Sequence, residues 1–257
     1  MEVTGSALWD AGLALGAYCE KLRPELHADR GGADGEGLSA IEIGAGCGAA
    51  GLMMAVGGDE VVLTDNQPEV LALLETNIKR NRLQGCASVQ ALDWNDAPSL
   101  AVARRPWDLI LCADIVYGLP SFTPLLQLLE MLCKGPHTRV LLACGNKQRG
   151  SREDLKFLAE MRQRGALAVS KTTEVEGAGV GRWGGGVVEV IELRRVAAGD
   201  GAGEEGSDDE FDELMAELDL EEEQELELEK ADADKAAEKV QKEISRQRPG
   251  EGEEESG

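Results

Sequence analysis

The stretch Ile41–Asp65, IEIGAGCGAAGLMMAVGGDEVVLTD, decides how the rest of the chain is read. It begins inside an apolar run of strand length, Leu38–Ile43, and passes into glycines at Gly44, Gly46, Gly48 and Gly51. A short apolar segment able to form a helix follows, then a second apolar run, Val61–Leu63, closed by Thr64 and Asp65. Strand, glycine turn, helix and strand with a terminal acid is a mononucleotide-binding half of a doubly wound sheet. Without Cβ atoms the turn can bend sharply and let a ligand touch backbone. The N–H groups that open the helix then face the ligand's negative end. Asp65 lies 21 residues after Gly44, where a carboxylate can accept both hydroxyls of a ribose.

Gly46-x-Gly48-x-x-Gly51 satisfies the dinucleotide pattern, but Glu42 stands just ahead of the turn and makes the motif E-x-G-x-G-x-G. A carboxylate beside a pyrophosphate is unfavourable. S-adenosylmethionine (SAM) has a ribose, no pyrophosphate, and an amino group that a carboxylate can receive, so Glu42 favours it over a dinucleotide. A glycine turn that binds nothing is the bland alternative, and an acid at position 65 in register argues against it.

The charge is lopsided. Residues 200–257 hold 24 of the 49 acids but 6 of the 26 bases, leaving 25 acids and 20 bases on residues 1–199. A near-neutral domain of residues 1–199, long enough for one sizeable core, is therefore expected to carry an acidic low-complexity tail over 200–257. The tail contains a capping box, Ser207-x-x-Glu210, with Phe211, Leu214, Met215 and Leu218 at helical spacing, and reads as partly helical. Its acidity suits a solvated tail better than a docking helix for a basic partner, and disfavours nucleic acid as the main partner. Six cysteines, Cys19, Cys47, Cys86, Cys112, Cys133 and Cys144, show no paired spacing and several sit in apolar runs, as buried free thiols do. Cys133-x3-His137 with Cys144 is the nearest approach to a zinc pattern and lacks a C-x2-C pair. No signal peptide or membrane-length apolar run is evident. A cytoplasmic monomer, also compatible with the nucleus, is expected.

Elsewhere the periodicity predicts an amphipathic helix over 5–23, with Trp9 at its start, and a flexible linker over 29–37. Pro68–Asn81 reads as a helix with Pro68 in its first turn and Leu71, Leu74 and Ile78 as its buried stripe. Ala87–Leu92 reads as a third strand ending in Asp93-Trp94-Asn95. There an acid can take the amine of an adenine and an indole can cover the ring; sheet capping by Trp94 is the alternative. Trp107–Cys112 is the most apolar run and reads as a central strand. It leads into Ala113-Asp114-Ile115-Val116-Tyr117, at the strand end that lines the crevice in open α/β sheets. A helix over Phe122–Leu132, a strand over Arg139–Cys144 and a charged surface helix over Arg152–Arg164 follow. Ala166–Thr173 and Val187–Leu193 read as an antiparallel edge pair, joined by a glycine loop containing Trp183. The fold expected is α/β: a doubly wound, mostly parallel sheet of seven strands.

Several pieces together resemble one family, the seven-β-strand, class I protein-lysine methyltransferases of the methyltransferase-like group. Its members act on heat-shock chaperones, valosin-containing protein, calmodulin and translation elongation factors. The matching pieces are S-A-L-W-D at 6–10, I-E-I-G-A-G-C-G at 41–48, L-T-D at 63–65, L-D-W-N at 92–95 and A-D-I-V-Y at 113–117. The glycine motif is common to most class I methyltransferases; D-x-x-Y with the early W-D is more specific. The resemblance implies SAM as cofactor, with Trp9, Gly44, Ala45, Gly46, Asp65, Trp94 and Ala113 against it. It also implies that Asp114 and Tyr117 face the target amine of a protein substrate of the chaperone, ATPase or translation-factor class. Cys47 stands where the family carries threonine. Only four residues precede Gly5, where family members carry a β segment, so a late start or a reduced substrate lid is expected. A methyltransferase of the same fold acting on arginine, histidine or a small molecule is the first alternative, since D-x-x-Y is the main argument for lysine. A nicotinamide-dependent oxidoreductase, disfavoured by Glu42 and by the absence of a Tyr-x-x-x-Lys, and a non-catalytic adaptor, disfavoured by the intact acids, are the alternatives from other classes.

Overall fold

The computed structural model describes residues 4–30, 37–99, 105–145, 152–177, 179 and 186–196. A 3-10 turn, Thr4–Ser6, precedes α1 (Asp10–Arg30). Then come β1 (Ser39–Ile43), α2 (Ala49–Val56), β2 (Glu60–Asp65), α3 (Pro68–Asn81), β3 (Ala87–Ala91) and a second 3-10 segment, Trp94–Ser99. The remainder is β4 (Leu109–Ala113), α4 (Thr123–Leu132), β5 (Arg139–Gly145), α5 (Arg152–Arg164), β6 (Leu167–Glu176) and β7 (Val187–Arg195). The expected capping box at Ser207, the tail helix, the 199/200 boundary and Trp183 lie outside the described residues.

Seven strands form one sheet in the order β3-β2-β1-β4-β5-β7-β6. The first five are parallel, with Ile41 opposite Val62 on one side and Ile110 on the other. β7 is antiparallel to β5, and β6 antiparallel to β7. The hairpin therefore does not append in chain order: its second strand inserts beside β5 and its first forms the edge. Successive strand residues face opposite ways. Leu109 and Leu111 consequently join α1, α2 and α3 through Leu15, Met54 and Leu74. Ile110 and Cys112 join α4 and α5 through Leu125, Leu129 and Phe157. Burial on both faces is why these strands are continuous apolar runs rather than alternating ones.

α1 corrects the expected linker, since it continues past Pro24 to Arg30. A proline inside a helix removes one backbone hydrogen bond, so the continuation needs support from elsewhere. Leu22 and Leu26 are buried, and Arg23 grips Asp59 through two hydrogen bonds of 2.7 Å. Arg139, only 1% exposed at the start of β5, pairs with Glu25 at 2.9 Å, with Asp29, and with Glu192 of β7 at 3.4 Å. These partners lie beyond the segment that periodicity scans. On α3 the buried residue is Val70 rather than Leu71, a shift of one position around the helix. α5 is not merely a surface helix: Phe157 and Met161 are buried, and Phe157 meets Phe122 edge-on with ring centroids 5.8 Å apart.

Candidate active site

A cleft of about 630 Å³ opens at the carboxyl ends of β1, β2, β4 and β5 and is closed on one side by the residues that begin α1. Its floor is the turn after β1. Gly44 has φ +60° and a Cβ there would stand 3.0 Å from Ile115. Gly46 has φ +55° and approaches the carbonyl of Gly5 just as closely. Both positions combine a left-handed backbone with contact on the Cβ side, so glycine is required. The turn is fixed by Ala45, whose N–H donates to the Thr64 carbonyl at 2.7 Å.

Four carboxylates line the cleft, Asp10, Glu42, Asp65 and Asp114, with no lysine, arginine or histidine among the described lining residues. Asp65, at the end of β2, accepts the Gln67 N–H on one oxygen at 3.0 Å and the Gly46 N–H on the other at 3.3 Å. Each oxygen keeps lone pairs for a diol. Glu42 behaves differently. It is 2% exposed and accepts the Gly51 N–H at 2.9 Å, capping α2 from the neighbouring strand. Burial pushes its carboxyl up to about 8, with the N–H groups of Gly51 and Ala50 countering only part of the effect. The sequence pattern offered Glu42 to a ligand amine; the structure gives its charge-accepting oxygen to the helix as well.

Trp9, just ahead of α1, and Trp94, just after β3, both line the cleft, as do Ala45 and Ala113. Asp93 does not: it is exposed and accepts from the Asn95 backbone and side chain, both at 2.9 Å. The adenine-amine role considered for it finds no support in this geometry, because Asp93 lies outside the cleft lining.

Asp114 follows β4 in a left-handed conformation, φ +49°, which costs an L-residue roughly 1–2 kcal/mol. Its neighbours hold it there. Its N–H donates to the Ala143 carbonyl at 2.9 Å, and its Oδ1 accepts the Gly145 N–H at 2.7 Å. Tyr117 is half exposed at 52% in the cleft wall. Burial raises its phenol, and the charges of Asp65 and Asp114 raise it further, so it stays a hydrogen-bond donor at neutral pH. Cys47 also lines the cleft, and burial pushes its thiol up.

The structure thus gathers Trp9, Glu42, Gly44, Ala45, Gly46, Asp65, Trp94, Ala113, Asp114 and Tyr117 around one space. Sequence reasoning missed Asp10 and Gly145 as wall residues. The W-D pair carried a signal for the first; the second was visible only as the residue ending β5.

Five parallel strands with an antiparallel pair, a glycine turn over a strand-end acid, and an acid and tyrosine after β4 define a class I methyltransferase, with SAM as its methyl donor. Residues 1–164 match the family model described as lysine methyltransferase, and the chain belongs to that family. Over 162 residues it is 38% identical to protein N-lysine methyltransferase METTL21A of Danio rerio, covering 62% of this chain and 67% of that protein. It is 37% identical over 137 residues to EEF1A lysine methyltransferase 3 of Mus musculus, covering 53% of each. The chain spans between about half and two thirds of the length of these curated relatives. Among solved structures, a magnesium protoporphyrin IX methyltransferase from Synechocystis with bound SAM overlays 70% of this chain and 79% of its own, at 16% identity and a TM-score of 0.47.

Proposed function

We propose that the domain transfers the methyl group of SAM to the side-chain amine of a lysine in a protein substrate. The observation that carries the reading is Asp114-x-x-Tyr117, pinned at the carboxyl end of β4 in the cleft wall. SAM supplies an electrophilic methyl on a sulfonium. The chain's residues bind, align and desolvate. Asp65 takes the ribose hydroxyls, Trp94 covers the adenine, and the bare backbone of Gly44–Gly46 lies along the cofactor. Asp114 holds the incoming amine and Tyr117 walls and orients it. Positioning of this kind can lower a barrier by roughly 7–11 kcal/mol. Removal from water lowers the affinity of a lysine ammonium for its proton, and the neutral amine is the nucleophile. The names of the relatives, one of them an EEF1A lysine methyltransferase, support a protein as substrate. Six free thiols support work in a reducing compartment, the cytoplasm or nucleus, and the reading takes the enzyme as a monomer.

Labelled SAM incubated with the protein and a cell extract should mark a protein band, and mapping should place the label on lysine. Asp114→Asn should bind SAM within a few-fold of the parent and lose methylation by about ten- to a hundred-fold, as expected for one charge-assisted hydrogen bond. Tyr117→Phe should lose less. Full activity in Asp114→Asn would show that its carboxylate serves only the Gly145 N–H.

A further inference from the structure

Asp114 and Tyr117 share one loop, residues 114–122, between β4 and α4, and its two halves are held by different elements. The first half is fixed to β5 and the core. Asp114 is bonded to Ala143 and Gly145, and Ile115 and Val116 are 4% and 1% exposed. These contacts stop short of Tyr117, whose half-exposed ring stands in the cleft wall.

The second half is fixed to α5. The Gly118 N–H donates to Glu153 Oε1 at 2.7 Å. Phe122 meets Phe157 edge-on, and the Thr123 hydroxyl donates to Glu160 Oε1 at 2.5 Å. Residues 153, 157 and 160 recur at i, i+4 and i+7, so one face of α5 receives the loop from Gly118 to Thr123. The bond to Gly118 bears most directly on the site. An amide N–H lies in the same rigid plane as the preceding carbonyl, so holding the Gly118 N–H sets the backbone torsion of Tyr117. With Val116 buried on one side and that plane held on the other, the direction in which the Tyr117 ring leaves the chain is defined. An acid in the first turn of α5 also suits the helix dipole, as Asp154 beside it does. That benefit needs no particular partner, yet Glu153 gives its oxygen to another element.

We propose that Glu153 is a positioning residue for methyl transfer, holding Tyr117 against the substrate amine through the Gly118 N–H. Resting on the lysine-methyltransferase reading, this gives α5 a share in the amine site. Glu153 itself is not among the described residues that line the cleft.

The chain has two tyrosines, Tyr18 and Tyr117. Fluorotyrosine incorporated into the full chain therefore gives two fluorine resonances, which Tyr117→Phe assigns. Glu153→Ala should move the Tyr117 resonance towards that of free fluorotyrosine and leave the buried Tyr18 in place. Glu153→Gln, which keeps an oxygen able to accept the N–H but not the charge, should hold it near the parental position. With labelled SAM and a cell extract, Glu153→Ala should lower the maximal rate of label transfer about three- to tenfold, as for one solvent-exposed hydrogen bond. The KM for SAM should stay within about twofold, and Glu153→Gln should recover most of the lost rate. An unchanged Tyr117 resonance or an unchanged maximal rate in Glu153→Ala overturns the proposal. Equal effects of alanine and glutamine also overturn it, since charge at the start of α5 would then act in place of the hydrogen bond. So does displacement of both resonances with weaker SAM binding, because Glu153 would then support the fold at large. A parent that transfers no label, while its Tyr117 resonance responds to Glu153→Ala as stated, refutes the lysine-methyltransferase reading instead.

Discussion

Glu42→Gln should remove a pH dependence from the stability of this domain. The parent carboxyl is 2% exposed, and burial holds its folded pKa at about 8 against an ordinary 4.5. The folded pKa is raised, so the folded state keeps a proton that the unfolded chain releases. This group's contribution to stability is fully present below the unfolded pKa and is lost as pH rises towards the folded one. Within that window the slope is about 1.4 kcal/mol per pH unit. From about pH 5 to 8 the limit is about 4 kcal/mol, and effective dielectric values well above that of dry protein reduce it to about half. Glutamine keeps the shape and an amide oxygen that can accept the Gly51 N–H, which Oε2 accepts in the parent, but does not titrate. Any fixed cost of its unpaired amide is the same at every pH and cancels from the slope. The unfolding free energy of Glu42→Gln minus that of the parent should therefore rise by about 2 kcal/mol from pH 5 to 8. Urea unfolding of both proteins without ligand, at half-unit pH steps and with unchanged m-values, measures the difference. Parallel curves would refute a buried, largely neutral Glu42.

Asp65→Ala should cost SAM at least about a hundredfold in affinity, since two hydrogen bonds from the diol to a carboxylate are lost at about 1.5–3 kcal/mol each; calorimetry reads it, and unchanged affinity would remove Asp65 from the cofactor site. Arg139→Met should lower stability by about 3 kcal/mol, because Glu192, 3% exposed, would lose one buried partner and keep Arg194 and Ser170 among the described residues; thermal melts should show part of the loss recovered by adding Glu192→Gln. Deleting residues 200–257 should leave melting temperature and SAM affinity nearly unchanged, because a segment that rich in like charge has little apolar surface to contribute. A loss of several degrees would place the tail within the domain.

The first βαβ unit was legible in residues 38–81 because every signal there is local. Glycines mark the turn, apolar runs mark the strands, and Pro68 marks a helix start that the structure reproduces at Pro68–Asn81. Asp65 and Asp114 were legible for a related reason: both end apolar runs, and strand ends in this architecture are where ligands sit. What was not legible depends on distant partners. The last turn and a half of α1 is held by Arg139, more than a hundred residues away in sequence, so composition read it as linker. The insertion of β7 between β5 and β6 cannot be seen in two β runs that look alike. Asp93 and Asp114 both follow apolar runs, and only the fold separates them: Asp93 closes its own turn, whereas Asp114 reaches across to the end of β5.

That reach explains why Asp114 is held in a left-handed conformation rather than an extended one. An extended residue after Ala113 would continue the line of β4 and carry its carboxylate away from β5. Turning at φ +49° sends the side chain sideways to the Gly145 N–H, and the hydrogen bond there leaves the second carboxylate oxygen on the side of Gly145 that Ala11 borders. The strain is of the size that one charge-assisted hydrogen bond, about 1.5–3 kcal/mol, can offset. Aspartate is among the few residues that tolerate this backbone, and it also carries the charge the amine needs. Backbone geometry and chemistry therefore select the same residue at position 114.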